Sequence, residues 1–109
     1  MKLVIVESPF RGNNYTEHLE HLVYLNRVLK DSIDRGEAPF ASHALYPRVL
    51  DDRISDDRML GIRMGYAWMQ RADLVAFYID RGWSEGMQAA EHEAAILGIP
   101  AEFRKLENK

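Results

Sequence analysis

The chain has 109 residues, with 14 basic and 17 acidic side chains, a formal charge of −3 and no cysteine. That length suits one domain able to bury its own core, and the lack of cysteine excludes disulfides and thiolate metal sites. The slightly acidic balance gives no electrostatic reason to expect a nucleic-acid partner, and no apolar run approaches the roughly 20 residues of a membrane span.

The chain reads as one domain over residues 1–109. Lys2–Val6 has the contiguous, mostly β-branched character of a fully buried strand. The apolar run stops at Glu7, too short for a signal-peptide core, so a soluble cytoplasmic protein is expected. Asn14–Arg35 predicts a helix with Leu19, Leu22, Val23, Asn26, Leu29 and Ile33 on one face, closed by Gly36. Pro39–Ala41 is a short, weak strand, and His43–Asp52 reads as loop. Ser55 suits an N-cap, followed by Asp56 and Asp57 in the first turn of a helix running to about Arg71. Its many apolar residues, among them Met59, Leu60, Ile62, Tyr66 and Trp68, predict burial on more than one side. Asp73–Ile79 is the second strong strand. A last helix starts at Ser84 or Gly86 and stops at Gly98, and Pro100–Arg104 forms a short closing strand before a frayed tail, Glu107–Lys109.

This β-α-β-α-β-α-β order predicts an α/β fold with a parallel sheet and helices on both faces. Ligands of such sheets bind beyond the carboxyl ends of the strands, where the strand order switches. The loop Ser8-Pro9-Phe10-Arg11-Gly12 and the loop Asp80–Gly86 should therefore face one another across one sheet edge. A hydroxyl and a glycine at a helix start, Ser84 and Gly86, make an anion site from free backbone N–H groups, and Arg11 can add a charge-assisted contact. In the last helix Met87, Ala90, Ala94 and Leu97 form the stripe that faces the sheet; Glu91 and Glu93 flank it and His92 points away.

Other polar residues carry two readings each. His43 either contacts a base or ribose or makes a structural hydrogen bond. Arg58 either pairs with Asp51 or Asp52 or reaches a phosphate. His18 and His21 lie three apart beside Glu17, but no third ligand is evident and no metal is expected. Trp83, in the second loop, is placed to stack on a base or to fill a partner's pocket.

The SPFRG loop and the block ADLVAFYIDRGWSEGMQAAEHEAAILGIP resemble segments of the nucleoside 2-deoxyribosyltransferases and the deoxynucleoside 5′-monophosphate N-glycosidases. The match is closer still to small bacterial and phage members of that superfamily of unknown function, and spans about residues 2 to 104. The resemblance implies a Rossmann-like (flavodoxin-like) three-layer sandwich that binds a nucleoside or nucleotide without a cofactor and assembles as a homo-oligomer. It implies that Ser84 and Gly86 hold a 5′-phosphate; together with the loop readings above, the candidate substrate-binding set is Ser8, Pro9, Phe10, Arg11, His43, Asp80, Ser84, Gly86 and Met87. It also implies a glutamate nucleophile four residues after that glycine. Here that position is Ala90, and Glu91 follows it as the candidate catalytic carboxylate. Gly65 stands where the family has a sugar-binding aspartate; Asp51, Asp52, Asp56 and Asp57 are the acidic residues nearby in sequence.

Two main functions therefore stay open. One is cleavage or exchange of the N-glycosidic bond of a deoxynucleoside or its monophosphate. The other is a nucleotide-binding module that has kept the pocket without turnover. A phage-type accessory protein that uses Trp83 and the first helix to bind another protein is a third.

Overall fold

The computed structural model describes residues 1–106, so the predicted tail at 107–109 lies outside the described residues. Four parallel strands form one sheet in the order β2-β1-β3-β4. They are β1 (Leu3–Glu7), β2 (Ala38–Phe40), β3 (Leu74–Tyr78) and β4 (Ala101–Arg104). Val4 pairs with Leu74 and Glu7 with Phe77 in the central ladder, while Leu3 pairs with Ala38 and Val75 with Ala101 at the flanks. The two apolar runs thus take the two central positions, where both faces of a strand are covered. Residues on β1 alternate between two cores. Val4 and Val6 pack with Tyr24, Leu25, Val28, Ala76 and Tyr78 under α1 (Tyr15–Asp34). Ile5 packs with Val75, Phe77 and Met69 on the other face, against α3 (Ser55–Met69) and α4 (Glu85–Leu97).

The Rossmann-like three-layer prediction is met, and α4 has the expected register: Met87, Ala90 and Ala94 are buried and His92 is exposed. Its N-cap is Ser84, whose side chain accepts from the Met87 N–H. Four local expectations need correction. First, α1 buries Tyr24, Leu25, Val28, Asp31 and Ser32, while Leu19, Val23 and Ile33 are exposed. The helix is turned from its apolar face because polar inner residues have strong partners: the Tyr24 hydroxyl donates to Asp80 at 2.5 Å and the Tyr78 hydroxyl to Asp31 at 2.7 Å. Second, α3 buries only Gly65 and Met69; Met59, Leu60, Ile62 and Trp68 are exposed, because this helix leans on the sheet along one narrow side. Third, Ile54 rather than Ser55 precedes its first turn, and no side chain caps it. Fourth, the segment expected to be loop contains a single-turn helix α2 (Ser42–Leu45) and a 3-10 turn (Tyr46–Arg48).

A buried ionic cluster ties β4 to the rest. Arg104, 5% exposed, sends Nη1 and Nη2 to the two carboxylate oxygens of Glu37 at 2.8 and 2.7 Å, Nη1 to the Tyr78 hydroxyl at 3.0 Å and Nε to Glu102 at 2.8 Å. Glu37 also accepts from Ser32 Oγ at 2.8 Å. Each buried charge there has a partner, the condition under which burial is tolerated.

Candidate functional site

Strand β1 is followed through α1 by β2 on one side, and the chain then returns past β1 to β3 and β4 on the other. The strand order therefore switches between β1 and β3, and a cleft of about 680 Å³ opens beyond their carboxyl ends. Its floor is Glu7 and Ser8. One wall is α4 with its preceding turn, from Ser84 to Ala90. The other is built from α2, the 3-10 turn and α3, with Ser42, His43, Tyr46, Ile62, Gly65 and Tyr66. Phe10 and Arg11 close the remaining side.

The SPFRG loop is fixed at almost every residue. Ser8 is 4% exposed, and its Oγ lies 3.1 Å from His43 Nε2. Phe10 meets the rings of His18 and His43 edge-on, with centroids 4.9 and 5.7 Å apart. Arg11 Nε and Nη2 donate to Asp52 Oδ2 at 2.8 and 2.5 Å, and Nη2 also donates to the Asp52 carbonyl at 2.6 Å. A Cβ on Gly12 would lie 2.7 Å from Glu17 Cβ, so the loop needs glycine where it meets the first turn of α1. His18 Nδ1 bonds the Phe10 carbonyl at 2.9 Å and His21 Nδ1 bonds that of Arg11. Those two histidines brace the loop, and no cluster of potential metal ligands occurs among the described residues.

Of the predicted binding residues, the fold brings Ser8, Phe10, Arg11, His43, Ser84, Gly86 and Met87 to one cleft. Pro9 is buried, and Asp80 accepts from the Tyr24 hydroxyl and, at 2.9 Å, from the Leu106 amide; neither lines the cleft. Ala90 lines it, while the half-buried Glu91 does not. Trp83 packs on Phe77 and Phe103, at centroid distances of 5.2 and 5.6 Å. Arg58 lines the cleft beside Asp57, whose carboxylate accepts from the Asp51 amide at 2.9 Å. A second hollow of about 800 Å³ shares Phe10, Arg11 and Asp52 with the cleft but includes no strand end, so the Arg11–Asp52 pair is part of the wall of both.

The electrostatics of the floor come from burial. Burial lowers His43 to a pKa of about 4, so its ring is neutral, and its buried Nδ1 has no hydrogen-bond partner among the described residues. Burial raises Glu7 to about 8. Tyr66 is raised by burial and then by the charges of Glu7 and Glu93. At the α4 wall Ser84 Oγ already caps the Met87 N–H at 3.2 Å, and the Glu85 and Gly86 amides belong to the first turn, where no intrahelical carbonyl reaches. Sequence reasoning missed Glu7, Ser42, Tyr46 and Tyr66. Glu7 had a readable signal: it is the charged residue that ends a buried parallel strand, where ligands of this fold class bind.

This architecture is a Rossmann-like (flavodoxin-like) α/β fold with an all-parallel four-stranded sheet. The chain is similar to the solved structure of the 2-deoxyribosyltransferase of the psychrotolerant bacterium Bacillus psychrosaccharolyticus, with a TM-score of 0.65 at 20% identity, over 98% of this chain and 74% of the other. No curated protein matches the sequence. The chain belongs to the family described as a domain of unknown function (DUF7768), whose model matches residues 2–104.

Proposed function

We propose that the cleft binds a nucleoside or nucleoside 5′-monophosphate. The observation that carries this reading is the meeting of Ser8, Phe10 and Arg11 with the N-terminus of α4 at the β1–β3 switch point. The apolar wall of Ile62, Tyr66 and Met87 suits a base, and the Ser84–Gly86 turn suits a 5′-oxygen or phosphate. Fold likeness to a deoxyribosyltransferase supports the same ligand class.

N-glycosidic cleavage is the finer reading, and Glu91, one residue beyond the cleft-lining Ala90, is the carboxylate it would need to bring into the cleft. Ala90, a methyl on the cleft wall where a nucleophile is needed, favours a second reading: binding without turnover. Incubation with deoxy- and ribonucleosides and their 5′-monophosphates separates the two, with free base followed by chromatography and binding by thermal shift. Free base that disappears with Glu91→Gln establishes cleavage; stabilisation without free base establishes the binding module; neither response to any ligand removes the nucleoside reading. The exposed stripe of Tyr15, Leu19 and Val23 on α1 supports self-association, and a monomeric mass by light scattering counts against it.

A further inference from the structure

Glu7 ends the central strand β1 and shares the face of Ile5, toward the α3–α4 layer. It lines the cleft together with two side-chain-poor positions, Gly65 on α3 and Ala90 on α4. Among the described residues, four carboxyl groups line this cleft. Asp52 is bound by Arg11, Asp57 by the Asp51 amide, and Glu85 is exposed in the first turn of α4. Glu7 is half-buried, and no side-chain hydrogen bond reaches its carboxyl from the described residues. The floor of the cleft thus presents a single unpartnered carboxyl group, set on a strand that cannot swing away.

We propose that Glu7 is the residue that reads the nucleobase, donating a hydrogen bond to a ring nitrogen and accepting one from an adjacent amino group. The inference rests on the nucleoside reading above and names the class of base. A carboxylic acid offers one O–H donor beside one acceptor, whereas a carboxylate only accepts. Adenine and cytosine each carry a ring-nitrogen acceptor next to an exocyclic amino donor. The N1–N2 edge of guanine carries two donors and suits the carboxylate instead.

Burial supplies the required protonation state, since raising Glu7 to about 8 leaves it mostly protonated at neutral pH. Burial is the cause of this shift, and no charged neighbour facing Glu7 is among its causes. From α3 comes the Tyr66 hydroxyl, itself raised by burial, by Glu7 and by Glu93 of α4; from α2 comes His43, neutral through burial; Asp57 and Arg58 line the same cleft.

The test has a ligand-free arm and a ligand arm. Carboxyl-carbon NMR of the free protein, with Glu7 assigned by its loss in Glu7→Gln, should show a titration midpoint near 8. Calorimetry with adenosine, cytidine and guanosine 5′-monophosphates then reads recognition. Adenine and cytosine ligands should bind about tenfold more weakly at pH about 9.5 than at about 6, the loss expected for one buried hydrogen bond. Glu7→Gln, which keeps a donor beside an acceptor, should bind them well at both pH values, and Glu7→Ala should bind weakly at both. A midpoint near 4.5, or equal affinity in wild type and Glu7→Ala, overturns the inference alone. Absence of binding by every nucleoside and monophosphate to the wild type overturns it together with the reading beneath it.

Discussion

Arg104 and Glu37 stand 67 residues apart and meet in a two-pronged ion pair, 2.8 and 2.7 Å long, with side chains 3% and 11% exposed. Breaking such a pair leaves a buried charge without compensation. Arg104→Met or Glu37→Gln should each lower unfolding free energy by about 3–5 kcal/mol in urea titrations, and the double replacement Arg104→Met with Glu37→Leu should recover most of that. The pair also sets an acid limit. Arg104's hydrogen bonds hold Glu37 below the usual carboxylate range, so its contribution is present above the ordinary carboxylate pKa. It is lost as pH falls through the depressed value, and the gap between wild type and Glu37→Gln should shrink there.

Gly65 touches Ser42 through a space with no room for a side chain. A Cβ there would lie 2.7 Å from Ser42 Oγ and 3.1 Å from Ser42 Cβ. Gly65→Asp should therefore cost about 1–3 kcal/mol by thermal or urea unfolding, Gly65→Ala less, and Ser42→Gly should rescue part of either loss. The absence of an aspartate at this position follows from the packing of α2 on α3.

His43 is neutral because its ring is buried, at a pKa of about 4 against 6.5 when exposed. The unfolded chain binds a proton at this site between those values and the folded one does not. The contribution of His43 to stability should be complete above pH 6.5 and fall as pH drops toward 4, against the opposite slope that Glu7 sets between 4.5 and about 8. His43→Leu should lose that slope, and imidazole NMR should find the native midpoint near 4.

Arg11 and Asp52 form an exposed pair, 51% and 34% open, which contributes less than about 1 kcal/mol to stability. Its expected role is in ligand entry. Arg11→Ala should weaken 5′-monophosphates about tenfold and leave the parent nucleosides unchanged, and Asp52→Asn should strengthen monophosphates by freeing the guanidinium. Calorimetry on matched nucleoside and monophosphate pairs distinguishes these effects.

What the sequence revealed was set by how local each signal is. LVIV of β1 and LVAFY of β3 are unbroken apolar runs, and their central positions follow from composition alone. The register of α4 was legible because its inner stripe is small and apolar. The face of α1 was not, since apolar periodicity assumes an apolar core, and this helix turns Asp31 and Ser32 inward to Tyr78 and Glu37. Four residues of α2 fall below the reach of any periodic pattern, so the contacts of Ser42 and His43 stayed hidden. That Ser8, Arg11 and Ser84 line one cleft was legible because the loops after β1 and β3 must converge in a parallel sheet. Glu7 was passed over because its charge served only to mark where a strand ends.

The chain has two tryptophans, and each reports on a different wall. Trp68 packs at a tilt on Phe40 and its indole N–H donates to the Tyr46 hydroxyl at 2.7 Å, against the α3 side. Trp83 lies over Phe77, one residue before the Ser84 cap of α4. With Trp68→Phe or Trp83→Phe, intrinsic fluorescence becomes a one-colour readout of a single wall. A quench that survives only one replacement then identifies which side of the cleft a bound molecule moves, without any dye or label.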